Sequence, residues 1–222
     1  MSLAQRSVLT LTALLLLVNA GCQEIGFIGQ AAAHLTGLDR IPAQHEIDRR
    51  PTVVLVDDPN NLLGSPALAT QLAGLIGFHL VEHTDLVDED LISQRRVSEL
   101  SERLGKAFAQ TPMDAIGEQV GAEQLISVLI VSADQQMAPG LMRPRATARV
   151  ELIDVTEGRR IFPPEADASS PSLLTQGYTV SVDLQVQSAQ QGRATLRLAS
   201  QQLVQALAIE VAQLFYSHEP DS

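Results

Sequence analysis

This sequence of 222 residues has no tryptophan, one cysteine and few aromatic side chains of any kind. Phe and Tyr make up only 3% of it, so Leu, Val, Ile and Ala must build the core. Aromatic platforms on which nucleic-acid bases stack are therefore scarce. Basic residues are also few, at 15 Lys and Arg against 26 Asp and Glu, and the net charge of -11 repels phosphate backbones. The composition argues against a nucleic-acid partner.

The single cysteine, Cys22, excludes an intramolecular disulfide and a cysteine-rich metal centre. Arg6 precedes the apolar stretch from Val8 to Val18, which is about half the length of a membrane span. The small residues Ala20 and Gly21 then lead directly to the cysteine. This arrangement resembles a bacterial lipoprotein signal, in which the cysteine thiol receives a diacylglycerol before cleavage. The alternatives are a plain secretory signal and an uncleaved anchor.

These features divide the chain into four parts. Residues 1–21 are the predicted lipoprotein signal, 22–50 an acylated tether, 51–217 a single α/β domain and 218–222 a tail. The length suits one domain. The lipid would hold the domain in the periplasm at the cell envelope, and Gln23, in place of an aspartate after Cys22, favours the outer membrane.

The predicted fold is organised around one apolar strand. Nearly every position from Gln124 to Ala133 is apolar, which predicts a strand covered on both faces at the centre of a mixed sheet. After a polar link, residues 145–162 predict a hairpin with its turn at 156–159. The first hairpin strand alternates between apolar and polar residues, so one of its faces should meet water.

The domain is predicted to begin with a βαβ unit. A β-rich run from Thr52 to Val56 is followed by turn residues and then by Ser65 and Pro66, which are typical of a helix start. Gly77 is a predicted stop for this helix, and Phe78 to Val81 a predicted strand.

Four more elements follow from periodicity. They are a helix with an apolar face at Val97, Leu100, Leu104 and Phe108, a short helix that opens near Thr111-Pro112 and closes at Gly121, an alternating strand from Tyr178 to Val186, and a long helix from Ala194 to Tyr216.

Paired acids at the end of the first strand are one candidate site. Asp57 and Asp58, followed by a helix, resemble the start of a response-regulator receiver domain, in which such acids bind Mg²⁺. That family also needs a phosphoacceptor aspartate about forty residues later, where this chain is polar and helical. The alternative is an acidic turn without a bound ion.

The sequence His79-Leu80-Val81-Glu82-His83 matches the inverted zincin pattern. Zinc needs both histidines one helical turn apart on one face. In the predicted strand, the two histidines would lie about 13 Å apart, too far for one ion. A third candidate is a cation site at Asp154, Glu157 and Glu151, but acids in a β-turn that ends in Gly158 are ordinary hairpin chemistry.

The central stretch resembles envelope lipoproteins of the CsgG, LpoB and TolB N-terminal type. The matching residues are Ile116-Gly117, Gly121-Ala122-Glu123, the strand from Leu125 to Val131, and the segment from Val150 through Gly158 to Phe162. The resemblance implies an α/β domain, an acylated N-terminus and a role in envelope assembly, secretion or activation of wall synthases. It implies no catalytic residues, and likeness of fold does not transfer a function.

Two classes of function follow. The favoured one is a lipid-anchored, non-catalytic binding or scaffold module with a membrane lipid, an envelope protein partner and no cofactor. The alternative is a small metal-dependent hydrolase that uses Asp57 and Asp58, or His79, Glu82 and His83. The sequence leaves the oligomeric state open.

Overall fold

The computed structural model describes residues 40–138, 141–164, 177–187 and 193–220. The predicted signal, Cys22, and most of both the tether and the loop after Pro163 lie outside the described residues. The fold is α/β, as predicted. Its elements are β1 (Thr52–Asp57), α1 (Pro66–His83), α2 (Gln94–Leu104), α3 (Met113–Val120), β2 (Gln124–Ala138), β3 (Leu141–Asp154), β4 (Arg159–Phe162), β5 (Tyr178–Asp183), β6 (Val186–Gln187) and α4 (Arg193–Ala212).

The strands form one mixed sheet with β2 and β3 inside it. β1 pairs with β2 in parallel, and β2 pairs with β3 in antiparallel. The other edge of β3 pairs in antiparallel with β4, β5 and β6 in turn along its length. The predicted central position of the Leu125 to Val131 strand is therefore confirmed.

Two apolar clusters cover the sheet. α1 and α4 pack on one face with Ile126, Val128 and Ile130 of β2. α2 and α3 pack on the other face with Leu125 of β2 and with Val53 of β1. Because side chains alternate along a strand, a strand with apolar residues on both faces serves both clusters. The alternation predicted for β3 is also confirmed, since buried and half-buried residues alternate from Met142 to Leu152.

The predicted strand at Phe78 to Val81 is wrong. These residues continue α1, which runs unbroken from Pro66 to His83. Gly77 is buried inside this helix, and a Cβ there would lie 3.0 Å from Cδ1 of Leu91. The glycine therefore allows close packing and does not end the helix. Between β1 and its parallel neighbour β2, the chain forms α1, α2 and α3. The βαβ unit is therefore larger than predicted.

Two further boundaries differ from the predictions. The predicted tether is too long, because Ala43 to Arg50 belong to the compact unit of residues 43–216. Ile47 is buried in that unit, and the amides of Gln44 and His45 donate hydrogen bonds to the Leu214 carbonyl at 2.8 and 3.0 Å. The predicted polar link after Ala133 is also strand, since β2 continues to Ala138 and pairs with the beginning of β3.

The remaining helices match the predictions closely. Gly121 ends α3 at a positive φ of 82°, and the predicted terminal helix forms as α4 with one further 3₁₀ turn over Gln213–Phe215. A small second unit includes the antiparallel bridge between Ile41 and His218. None of the helices in the described ranges has the length and apolar character needed to cross a membrane.

Candidate functional site at the end of helix α1

His79, Glu82 and His83 lie together on the last turns of α1. Residues at i, i+3 and i+4 share one helix face, so the helical conformation brings together what a strand would separate. One ligand atom from each side chain lies within 4.8 Å of the other two. Oε2 of Glu82 is 3.8 Å from Nδ1 of His79 and 3.6 Å from Nε2 of His83. The separation of about 13 Å expected for a strand is therefore wrong.

Aromatic neighbours surround the three side chains. The imidazole rings of His79 and His83 are nearly parallel, with 6.2 Å between their centroids. The Tyr216 ring packs on His83 at 4.6 Å, and the Phe78 ring meets His79 edge-on at 5.5 Å. Burial, together with the charge of Glu82, raises the pKa of Tyr216 above its ordinary value of 10.0. Tyr216 is thus part of this site, although nothing in the sequence pairs it with the histidines.

The paired acids at the end of β1 have different roles. Both carboxylate oxygens of Asp58 accept backbone hydrogen bonds, from Leu62 at 2.7 Å and from Leu63 at 2.9 Å. Asp58 therefore stabilises the turn before α1. Partial desolvation of the Asp57 carboxyl, followed by the charge of Asp58, raises the pKa of Asp57 above 3.8.

Asp58 also lines a cleft of about 400 Å³ at the carboxyl end of β1, with residues from the beginning of α1 and from α2. The cleft and the histidine cluster are separate sites. Pro66 lines the cleft at one end of α1 and His79 lies near the other. At 1.5 Å per residue, these two positions are about 20 Å apart along the helix axis. A hydrolytic centre that combines Asp58 with His79 is therefore excluded.

The acids of the β3–β4 hairpin are bound by protein groups. Oδ2 of the buried Asp154 accepts a hydrogen bond from Nη1 of Arg50 at 2.9 Å, and its Oδ1 accepts one from the Glu157 amide at 2.9 Å. Burial alone would raise the pKa of Asp154, but the Glu157 amide, the hydrogen bond and charge of Arg50 and the Thr156 amide together outweigh it and lower the pKa below 3.8. Glu151 pairs with Arg160 at 3.0 Å, and Glu157 pairs with Arg159. These carboxylates hold the hairpin together.

Sequence reasoning missed Arg50, which it placed in the tether, and it did not single out His45. The His45 ring is half-buried beside Phe162, with 5.8 Å between the ring centroids. Burial lowers the pKa of His45 below 6.5, and this effect outweighs the nearby charge of Asp48. The predicted lipidation site, Cys22, lies outside the described residues and stays a prediction.

No protein-family model and no curated protein matches this chain. Among solved structures, it is similar to the lipoprotein GNA1162 from Neisseria meningitidis, at 13% identity over 74% of this chain and 99% of that chain, with a TM-score of 0.36. It is also similar to the LpoB C-terminal domain from Salmonella enterica, at 17% identity over 65% and 89%, with a TM-score of 0.34.

A third similar structure is the PelC dodecamer from Paraburkholderia phytofirmans, at 13% identity over 81% of this chain and 96% of that chain, with a TM-score of 0.38. Bacterial lipoproteins, LpoB among them, are thus structural neighbours of this chain, as the resemblance in the sequence predicted. These similarities concern the fold alone and carry no information about binding partners.

Proposed function

We propose that the protein is a lipid-anchored lipoprotein of the cell envelope that acts by binding another protein and catalyses no reaction itself. The observation that carries this proposal is the apolar stretch after Arg6 that ends in Ala20-Gly21-Cys22. Its length is too short for a membrane span and suits a cleaved signal. The acylated Cys22 would then be the N-terminus of the mature protein, with the domain in the periplasm.

Charge supports a partner with basic surface patches. Removal of a signal that contains Arg6 and no acid leaves 14 basic residues against 26 acidic ones, a net charge of -12. The segment from Glu82 to Asp90 holds five carboxylates and no Lys or Arg, and four of its carboxylates are exposed. Complementary charges speed the encounter of two proteins, and salt screens them. Binding should therefore weaken as the salt concentration rises.

The metal-dependent hydrolase is the second candidate, because the structure brings His79, Glu82 and His83 together. Such a hydrolase would have to work without Asp57 and Asp58, which lie at the other end of α1. A zinc hydrolase also needs a general base beside the metal-bound water. Glu82 is the carboxylate within 4.8 Å of both histidines, so it would have to serve as this base, and among the described residues only His79 and His83 would then remain as ligands.

The lipid anchor is tested with Cys22→Ser. We expect this variant to lose incorporation of radiolabelled palmitate and to leave the membrane fraction, whereas the neighbouring control Gln23→Ser should keep both. Unchanged labelling of Cys22→Ser would refute the anchor.

A third variant tests the outer-membrane preference. Gln23→Asp should shift the labelled protein to the inner membrane in a density-gradient separation, and an unchanged distribution would contradict that preference.

A further inference from the structure

We propose that His79, Glu82 and His83 form a binding site for Zn²⁺ at the carboxyl-terminal end of α1. Each residue supplies one ligand atom, and the three atoms lie within 4.8 Å of one another. Two imidazoles and a carboxylate form a ligand set typical of zinc. Hard cations such as Mg²⁺ and Ca²⁺ prefer oxygen ligands and would be poorly served by two histidines.

The distances between the side chains favour a shared ion over direct hydrogen bonds. Oε2 of Glu82 lies 3.6 and 3.8 Å from the two imidazole nitrogens, beyond the range of a hydrogen bond. Two atoms bound to one tetrahedral zinc at its usual bond lengths lie about 3.3–3.6 Å apart. The two Glu82 contacts need to shorten by only a few tenths of an ångström, and the two histidine nitrogens, which lie within 4.8 Å of each other, would approach by side-chain rotation.

The site is held in shape and remains open to solvent. His79 is packed between Phe78 and His83, with only 16% of its side chain exposed. The Tyr216 ring packs against His83, with 4.6 Å between the ring centroids. Glu82 and His83 stay 51% and 43% exposed, so water can complete the tetrahedron. Such packing reduces the conformational freedom that binding must remove.

The site is a binding centre for the ion, and it is independent of the proposed contact function. When Glu82 coordinates the ion, it no longer serves as the general base that hydrolysis requires. The ion would instead link positions i, i+3 and i+4 and stabilise the last turn of α1. Because an unfolded chain lacks this arrangement, bound zinc should raise the melting temperature.

The test uses the full chain in detergent, with Cys22→Ser in every sample to remove the only thiol. After treatment with a chelator, the protein is dialysed against Zn²⁺, and bound metal is measured by atomic emission. We expect one ion per chain and a higher melting temperature with zinc. His83→Ala, His79→Gln and Glu82→Gln should each weaken binding at least about tenfold, since even outer-shell partners of metal ligands change affinity about 10- to 100-fold.

The matched control is His34→Ala/His218→Ala, which removes two of the five histidines and leaves the cluster intact. It should bind zinc like the parent protein. The proposal is overturned if the parent binds no zinc, if all three cluster variants keep full affinity, or if the control alone loses the ion. Circular dichroism of each variant checks that α1 still folds, and the exposed position of Glu82 and the similar shape of Gln make Glu82→Gln the least disruptive of them.

Discussion

Asp154 holds together two segments that lie far apart in the sequence. Its carboxylate pairs with Arg50, which lies 104 positions earlier in the chain. It also accepts a hydrogen bond from the Glu157 amide of its own turn. Only 10% of the Asp154 side chain and 21% of the Arg50 side chain are exposed. When one partner of a buried ion pair is removed, an uncompensated charge remains inside the protein. The pair therefore fixes the entry of the chain into β1 against the end of β3.

We expect Asp154→Asn to lower the free energy of unfolding by about 1–3 kcal/mol, because Arg50 would lose its buried partner and keep only Asp48, at 3.3 Å and 76% exposed. Asn retains an oxygen that can accept the hydrogen bond from the Glu157 amide, so the turn itself should keep its conformation. The matched control is Asp183→Asn, because Asp183 pairs with Arg145 at 2.8 Å with about half of its side chain exposed. It should cost only about 0–1 kcal/mol. Urea denaturation measures the free energy of unfolding of both variants. An equal decrease in the two variants would contradict the role of Asp154.

The same pair should make stability depend on pH. The pKa of Asp154 is lower in the folded protein than its ordinary value of 3.8, so the unfolded chain takes up this proton first. The stabilisation is fully present above pH 3.8 and is lost as the pH falls through the folded pKa. The difference in stability between the parent and Asp154→Asn should therefore shrink below pH 3.8.

Long, strongly periodic elements were the part of the fold that the sequence predicted best. β2, β3 and α4 carry many apolar residues at one period, so no single residue decides their type. Phe78 to Val81 is a short apolar run, and its local pattern fits a strand or a helix equally well. Tertiary packing decides between strand and helix here. Leu91 packs against α1 at Gly77, where there is no side chain to obstruct it. That contact cannot be read from the local sequence.

The histidine cluster was missed for the same reason. The residue types were visible as a motif, but their distance depended on whether residues 78–83 were strand or helix. Tyr216 was beyond reach in any case, because it comes from the end of the chain and meets His83 only after α4 packs beside α1. By contrast, the acids of the β3–β4 turn could be interpreted correctly, since Asp154, Glu157 and Gly158 form a local unit.

The central position of β2 gives a sharp test. Val128 is fully buried in the cluster formed by α1 and α4, and Val131 on the same strand is 46% exposed where the pairing with β3 shifts register. Val128→Asp would bury an unpaired carboxylate and should cost at least about 3–5 kcal/mol, enough to prevent folding. Val131→Asp, with the same chemistry, should cost less than about 1 kcal/mol. Similar thermal unfolding of the two variants would argue against a buried centre at Val128.

The molecule as a whole combines an acidic surface with a chain that precedes the compact unit. Since that unit begins at Ala43 and Ile41 is bridged to His218, at most residues 23–40 of the predicted tether remain. Eighteen residues reach at most about 65 Å when fully extended. This span is shorter than the predicted tether of residues 22–50 would allow, because residues 43–50 pack in the unit. It would still let an anchored domain search for partners away from its own membrane.

A contact function and a catalytic function differ in which residues they need. If the protein acts only by contact, the combined variant Asp57→Asn/His79→Ala/His83→Ala should complement a deletion strain like the parent, because it keeps the fold, the anchor and most of the surface. Asp58 is left unchanged in this variant because its carboxylate holds the amides of Leu62 and Leu63. Growth of the complemented strain is the measurement, with protein level and membrane fraction checked by immunoblot.

Cys22→Ser is the opposing arm of that experiment, since it keeps every candidate catalytic residue and removes the anchor. It should fail to complement, because a released domain is diluted away from the membrane and loses the high effective concentration that tethering provides. If the combined variant folds, remains anchored and yet fails to complement while Cys22→Ser succeeds, the contact proposal is wrong and the end of α1 becomes the candidate active site. Zinc binding is measured separately on purified protein, so it can hold or fail independently of this result.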